Sequence, residues 1–189
     1  METRVADLEE LTAPHSLALT LREWPRELGV HLARHRCPVP IEEVVDAMAG
    51  PVERGWLADQ LWGDPVPGTH HVEILERVRP ALVARYAECF RRDRLDALVL
   101  PTTRLPARPI GQDDEVEING RPVGTLEAYL RNTDPTAFAG LPSISVPAGL
   151  TASGLPVGLS FDGPPGTDSV LLALAAAFER CRQQVDRSL

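Results

Sequence analysis

The segment Ala139–Asp168, AGLPSISVPAGLTASGLPVGLSFDGPPGTD, contains two short apolar runs that are each bounded by glycine and proline. The runs Ser143–Val146 and Val157–Phe161 are too punctuated for a helix and have the length of buried strands. The Ser153-Gly154 pair between them is typical of a turn. We therefore predict two strands that are joined through this turn.

Period-two alternation along the first of these strands separates its polar and apolar side chains. Ser143 and Ser145 fall on one face, and the aliphatic residues between them fall on the other. After the second strand, Thr167 or Asp168 is a suitable cap for a closing helix. One face of that helix is apolar and carries Val170, Leu171, Leu174, Phe178 and Cys181.

The rest of the chain is predicted to be mostly helical. The unbroken apolar run Ala97–Leu100 predicts one more strand, buried on both faces of a sheet. Helices are predicted at Leu17–Arg36, Pro40–Ala49, Trp56–Leu61, Thr69–Arg94 and Thr125–Arg131. Pro25 predicts a break or a fresh helix start in the first of these, and Pro80 is expected to kink the long helix or to divide it in two. Irregular structure is predicted for residues 1–15, for 104–123 around an Asn119-Gly120 turn, and for 132–140.

This mixture of elements predicts an α/β fold with a mixed sheet flanked by helices. Three or four strands make a poor closed sheet for a chain of 189 residues. Apolar strand edges normally need a partner or a cover. We expect the sheet to be incomplete on its own and to form part of a larger one.

Composition excludes several classes of function. The net charge of −8 argues against a nucleic-acid partner. No apolar run approaches the roughly 18 residues that span a membrane, and no signal peptide is evident at the acidic start, so we expect a cytoplasmic protein. All 19 basic residues are arginine. A mechanism that needs a lysine therefore cannot be completed by this chain alone.

Other candidate site residues have simpler interpretations. His31 and His35 lie one helical turn apart without a third ligand, and His70-His71 suits a helix start or the surface. No metal or cofactor site is therefore predicted. The acidic cluster formed by Asp113, Asp114, Glu115 and Glu117 fits a solvated loop better than a calcium-binding loop. The three cysteines, Cys37, Cys89 and Cys181, are expected to be reduced, buried thiols.

Four ordered motifs resemble the C-terminal part of the amidase signature family of amide hydrolases. They are the Leu-Asp-x-Leu strand at Leu95–Thr102, the Gly-x-Pro segment Gly140–Pro147, the Leu-Pro-x-Gly strand at Leu155–Gly158 and the helix start Asp168–Leu172. The runs RNTDP and GLPVGLSFDGP look most like the branch that acts on aryl-acetamides, such as mandelamide and indoleacetamide. The resemblance is firm over residues 72–180.

The resemblance implies a serine nucleophile, a bridging cis-serine and a lysine base, all in the N-terminal half of the family. Without lysine, this chain is expected to carry no catalytic residue and to need that half from elsewhere. By position, the resemblance implies one wall of the substrate cavity, formed by Thr102, Thr103, Thr133, Phe138 and Ser145. Turn capping by the threonines and core packing of Phe138 remain open as alternatives.

We expect residues 1–189 to form a single C-terminal amidase-like region. It comprises a helical lead-in over 1–70, the family-matching α/β part over 71–183 and a tail over 184–189. The predicted function is a portion or subunit of an amide hydrolase, with a protein partner carrying the N-terminal half and a small-molecule amide as substrate. The alternatives are a non-catalytic binding or scaffold protein and an inactive truncated product.

Overall fold

The computed structural model describes the backbone of residues 2–111 and 114–186 and the side chains of 2–111 and 114–184. The helices are α1 (Leu8–Thr12), α2 (Ser16–Arg34), α3 (Ile41–Asp46), α4 (Pro51–Trp62), α5 (Gly68–Glu73), α6 (Arg79–Asp93), α7 (Thr125–Leu130), α8 (Asp134–Ala139) and α9 (Asp168–Asp186), with a π-helical segment at Ile74–Val78. The strands are β1 (Leu98–Pro101), β2 (Glu115–Ile118), β3 (Arg121–Gly124), β4 (Ser143–Leu150) and β5 (Pro156–Asp162).

The main sheet has three antiparallel strands in the order β1-β5-β4. The strands predicted on either side of the Ser153-Gly154 turn are β4 and β5, and the turn is confirmed, with Gly154 at φ 80°. The register pairs Ser145 with Ser160 and Ile144 with Phe161 before it shifts between Pro147 and Gly149. This hairpin fixes which side chains share each face of the sheet.

Helix α9 covers the apolar face of the sheet. Leu171 and Ala175 of α9 form a buried cluster with Val146 and Phe161. The Phe161 ring also meets Phe178 edge to face, with centroids 5.8 Å apart. Such an aromatic pair contributes roughly 0.5–1.5 kcal/mol beyond its buried area. The helix predicted from Thr167 or Asp168 is confirmed, and the Thr167 hydroxyl just before it donates to the Pro164 carbonyl at 2.7 Å.

Strand β1 is an edge strand, and the prediction that it is buried on both faces is wrong. Val99 remains 57% exposed. Its partner in β5 is Phe161, so Val99 lies on the α9 face, yet α9 packs mainly over β4 and β5. The α/β class is confirmed, and the two open edges agree with the expectation of an incomplete sheet.

Two segments predicted to be irregular are ordered. Within 104–123 the structure forms the β2–β3 hairpin, because Asn119 and Gly120 both adopt positive φ, of 52° and 76°, as a tight hairpin turn requires. Within 132–140 it forms the short helix α8, which Gly140 ends at φ 72°. Proline and glycine in these segments mark the ends of short elements and do not indicate continuous loops.

The helical predictions hold with shifted ends and two corrections. Helix α2 continues through Pro25 without the predicted break, and α1 lies inside the segment predicted to be irregular. The long helix predicted from Thr69 is divided by the π-helical segment just before Pro80. There the Arg79 N–H donates to the Ile74 carbonyl, an i→i+5 bond that lets the helix pass a residue without an N–H.

The three cysteines are free thiols, but only Cys89 is buried; Cys37 is half-buried and Cys181 is exposed, which corrects the prediction for both.

The chain divides into two compact units, Glu9–Ala81 and the described part of Met1–Leu8 with Leu82–Leu189. The domain bounds expected at residues 70 and 183 stay a prediction. Among the described residues, no helix combines the length and apolarity needed to cross a membrane.

Adjacent leucines in α9 provide a matched test of the sheet core. Leu171 is 2% exposed and Leu172 is 62% exposed. We expect Leu171→Ala to lower the free energy of unfolding by about 2–4 kcal/mol, because it leaves a cavity against Val146 and Phe161. Leu172→Ala should change it by less than about 0.5 kcal/mol. Urea unfolding followed by circular dichroism measures both, and equal losses would contradict this packing.

Candidate functional site

The sheet face opposite α9 is polar over its centre. Alternation and register bring Ser143 and Ser145 of β4 onto the same face as Ser160 and Asp162 of β5. The separation of serines from aliphatic residues predicted for β4 is therefore present. Thr102, which directly follows β1, reaches the same face from the other side.

Three hydroxyl groups on this face bond to one another, and we refer to Thr102, Ser145 and Ser160 as the hydroxyl cluster. Thr102 Oγ1 lies 2.6 Å from Ser145 Oγ, and Ser160 Oγ donates to Thr102 Oγ1 at 2.9 Å. Two bonds use two of the three hydroxyl protons. The third proton stays on Thr102 or Ser145. Since Ser145 is exposed and Thr102 half-buried, that proton is available to an outside acceptor.

Gly158 makes room for the hydroxyl cluster. The Thr102 N–H donates to the Gly158 carbonyl at 2.9 Å, which carries the ladder one residue beyond β1. A Cβ at position 158 would lie 2.7 Å from Thr102 Oγ1 and 3.0 Å from Ser145 Oγ. Any larger residue would therefore force the two hydroxyls to move.

Side-chain bonds fix the loop that follows β1. Thr103 Oγ1 donates to the Leu105 carbonyl at 2.7 Å, and Tyr129 OH donates to the Pro106 carbonyl at 2.7 Å. Asn132 Nδ2 donates to the Pro101 carbonyl, also at 2.7 Å. These bonds hold Thr103 beside Thr102 and connect the strand end to the segment after α7.

The structure brings together some of the predicted pocket residues. Thr102 and Ser145 meet in the hydroxyl cluster, and Thr103 is the next residue along the chain. Thr133 instead precedes α8, where its hydroxyl donates to the Leu130 carbonyl at 3.4 Å, and Phe138 is buried within α8. The hydroxyl bond of Thr133 stays within its own turn and does not reach the cluster.

Sequence reasoning missed Ser160, Gly158 and Asn132. A signal for Ser160 was available. A hairpin centred on the Ser153-Gly154 turn pairs residues near 145 with residues near 160, so a serine in β5 falls opposite Ser145. The bond from Asn132 depends on the position of α7 and its loop, and nothing in the local pattern indicates it.

A buried carboxyl group lies on the same face of the sheet as the hydroxyl cluster, two residues further along β5. Asp162 is 3% exposed, and Ser143 Oγ donates to its Oδ1 at 2.5 Å. Burial raises the pKa of Asp162 above its ordinary value, and the Ser143 bond opposes this rise only in part. Burial also raises the pKa of Tyr86 above its usual range, and the negative charge of Asp162 adds to that rise.

The other candidate groups form pairs. The His31 and His35 rings lie 4.4 Å apart, centroid to centroid. His70 Nε2 lies 3.3 Å from Nδ1 of His15, and His71 Nε2 lies 3.0 Å from a carboxylate oxygen of Glu23. Within 2–111 and 114–186, no three metal-ligating side chains come together. Of the acidic cluster, Asp113 lies outside the described residues.

Comparisons with known proteins agree on one family. The family model described as Amidase matches residues 68–172. The indoleacetamide hydrolase of Agrobacterium vitis is 38% identical over 180 residues, which are 95% of this chain and 38% of that protein. The mandelamide hydrolase of Pseudomonas putida is 30% identical, over 93% of this chain and 35% of that protein. The chain thus spans well under half the length of these relatives.

Solved structures give the same result at the level of the fold. A crystal structure of an amidase superposes with a TM-score of 0.70 and 27% identity, covering 92% of this chain and 36% of that one. A bacterial aryl acylamidase of the amidase signature family superposes with a TM-score of 0.64 and 25% identity, covering 88% of this chain and 34% of that one.

The raised pKa of Asp162 makes stability depend on pH. Folding favours its protonated form, so the stabilisation is fully present below the unfolded pKa, about 3.9 for aspartate, and is lost as pH rises through the folded pKa. Asp162→Asn removes this loss and keeps an acceptor for Ser143. We expect the variant to gain stability relative to wild type as the pH rises above the pKa of an unfolded aspartate, about 3.9.

Urea unfolding at several pH values measures this gain, and Asp96→Asn is the control for replacing an exposed aspartate. A constant difference between Asp162→Asn and wild type across the pH range would show that burial does not control the carboxyl group.

Proposed function

Because this chain belongs to the amidase family, we propose that it is the C-terminal portion of an amide hydrolase and forms part of its substrate pocket. The observation that carries the proposal is the match of 95% of the chain to only 38% of the Agrobacterium vitis indoleacetamide hydrolase. A match of this kind is what a portion of a larger enzyme gives. The proposed cellular location is the cytoplasm.

The chemistry of the family explains why this portion needs another. A lysine takes protons through a bridging serine and so activates the nucleophilic serine, as the resemblance to the amidase signature family implies. This chain has no lysine. The proposed partner is the portion that carries the serines and the lysine, either as a separate chain or as a further part of the same polypeptide.

We place the pocket wall at the hydroxyl cluster. Its three members carry no charge, and they offer one proton to an acceptor such as an amide carbonyl. A neutral hydroxyl donor suits a neutral substrate better than a charged one. The printed names of the relatives, indoleacetamide and mandelamide hydrolase, favour a small aryl-acetamide. In this proposal Thr103, Thr133 and Phe138 extend the wall on the side of α8.

Fusion to a catalytic portion tests the proposal. The chimera joins the part of the Agrobacterium vitis enzyme that precedes the matched region to this chain, so that the two parts face each other at high effective concentration. We expect the chimera to hydrolyse indoleacetamide, measured as ammonia release, and either part alone to release none. Release by this chain alone would contradict the proposed division. An inactive, folded chimera would favour a binding or scaffold protein.

Conservative substitutions in the chimera test the pocket wall. We expect Thr102→Val and Ser145→Ala each to raise KM by about three- to tenfold, because each removes a hydroxyl from the cluster and a hydrogen bond contributes about 0.5–1.5 kcal/mol. Ser153→Ala, which removes an exposed turn hydroxyl from its bond with Thr151, is the matched control and should leave KM unchanged. Equal KM values for all three variants would show that the hydroxyl cluster does not line the pocket.

A further inference from the structure

Two side-chain contacts attach α5 to α2 within the unit Glu9–Ala81. His70 Nε2 lies 3.3 Å from Nδ1 of His15, the residue that directly precedes α2, and His71 Nε2 lies 3.0 Å from Oε1 of Glu23. Because an α-helix rises by about 1.5 Å per residue, His15 and Glu23 stand about 12 Å apart along α2. Two adjacent residues of α5 therefore hold two separate places on α2.

The contact between His15 and His70 tolerates one added proton but not two. The rings meet edge on, with centroids 5.5 Å apart and planes inclined by 63°. A bond between two ring nitrogens needs a proton on one nitrogen and a lone pair on the other. When both rings are fully protonated, both nitrogens are donors, no acceptor remains, and two positive charges face each other. The contact therefore exists only while the pair carries at most one positive charge.

The surroundings of His15 also disfavour its protonated form. Burial, the largest cause, lowers the pKa of His15, and His70 lowers it further, whereas the negative charge of Glu73 opposes them only in part. Both of these neighbouring groups belong to α5. Helices α3 and α4, which also pack on α2, contribute none of these effects. His15 therefore stays neutral at pH values where an exposed histidine begins to bind a proton.

The contact between His71 and Glu23 responds to acid in the opposite direction. An ionised carboxylate only accepts hydrogen bonds, so His71 Nε2 is the donor. Protonation of the ring adds a positive charge to that donor, and a charge-assisted hydrogen bond is roughly twice as strong as a neutral one. The side chains are 25% and 45% exposed, so solvent screens the pair only in part. Acidification therefore strengthens this contact under conditions that weaken the one at His15.

We propose that the two contacts form a pH-dependent switch, which transfers the attachment of α5 from His15 to Glu23 as the pH falls. Above about pH 7 α5 is held at both places, and below about pH 6 it is held at Glu23 alone. The parts released by acid are the turn before α2 and its contact with His70. This device goes beyond the proposed function, because it uses none of the residues of the proposed pocket wall.

NMR of the histidine ring nitrogens tests the switch in the unmutated chain, because their chemical shifts report which nitrogens carry protons. At pH 7.5 we expect a proton on one of His15 Nδ1 and His70 Nε2 and none on the other. At pH 6, below the ordinary histidine pKa of about 6.5, no more than one of these two rings should be fully protonated. Single replacements by glutamine assign the resonances. A folded chain with both rings fully protonated at pH 6 would overturn the switch.

Double-mutant cycles measure the two contacts separately by urea unfolding at pH 7.5 and 5.5. For His15→Gln and His70→Gln we expect a coupling of about three- to tenfold in the unfolding constant at pH 7.5. This coupling should vanish at pH 5.5, because the unfolded chain then binds two protons and the bonded pair binds only one. Each pH unit below about 6.5 thus lowers the coupling about tenfold.

The second cycle, His71→Gln with Glu23→Gln, should give a larger coupling at pH 5.5 than at pH 7.5. A cycle of His70→Gln with His35→Gln is the matched control. His35 lies at the other end of α2, about 30 Å along the helix from His15, so its coupling with His70 should be absent at both pH values.

The direction of the two changes decides the outcome. A loss of coupling at His15 and His70 together with a gain at His71 and Glu23 supports the switch. A coupling at His15 and His70 that is equal at both pH values, or a coupling at His71 and Glu23 that falls in acid, overturns it. If a glutamine variant fails to fold, the ring-nitrogen measurement on the unmutated chain still decides.

Discussion

The pairing of β4 with β5 is the constraint on which the rest of the sheet depends. A shift of one residue would exchange the two faces, because side chains alternate with a period of two. The observed register sets Ile144 opposite Phe161 for α9 to cover, and it sets Ser145 opposite Ser160 on the other face. One hairpin therefore decides the position of the apolar core and the position of the hydroxyl cluster together.

On the polar face, the energetic cost of burying a polar group falls on one residue, Asp162. Asp162 is buried, Ser143 donates a hydrogen bond to its carboxylate, and burial raises the pKa of Asp162. The hydroxyl cluster avoids such a cost, since neutral hydroxyls that bond to each other lose little on leaving water. The glycine at 158 is what permits their close approach. The polar face therefore combines neutral hydroxyl groups with one buried carboxyl group whose burial is only partly compensated.

Much of the fold could be predicted from the sequence, because local chemistry specifies it. The Ser153-Gly154 turn, the alternation in β4 and the amphipathic α9 are signals carried by neighbouring residues. The failures arise where tertiary context decides. The burial of β1 depends on which strands α9 covers, and the passage of the long helix past Pro80 depends on a π-turn. The resemblance indicates Thr102 and Ser145, whereas recognising the bond of Ser160 requires the strand register, and recognising the bond of Asn132 requires the position of its loop.

The two edges of the main sheet differ in how much backbone they leave open. A sheet with a long open edge is a poor independent unit. At β1 the open edge is short, because Pro101 has no N–H and its carbonyl accepts a bond from Asn132. At β4 the backbone groups of Ser143 and Ser145 both point away from β5. The backbone of Ser145 faces outward from the sheet, while its hydroxyl lies in the hydroxyl cluster. One residue therefore contributes to both the open edge and the polar face, and a shift in the register of β4 would move both features together.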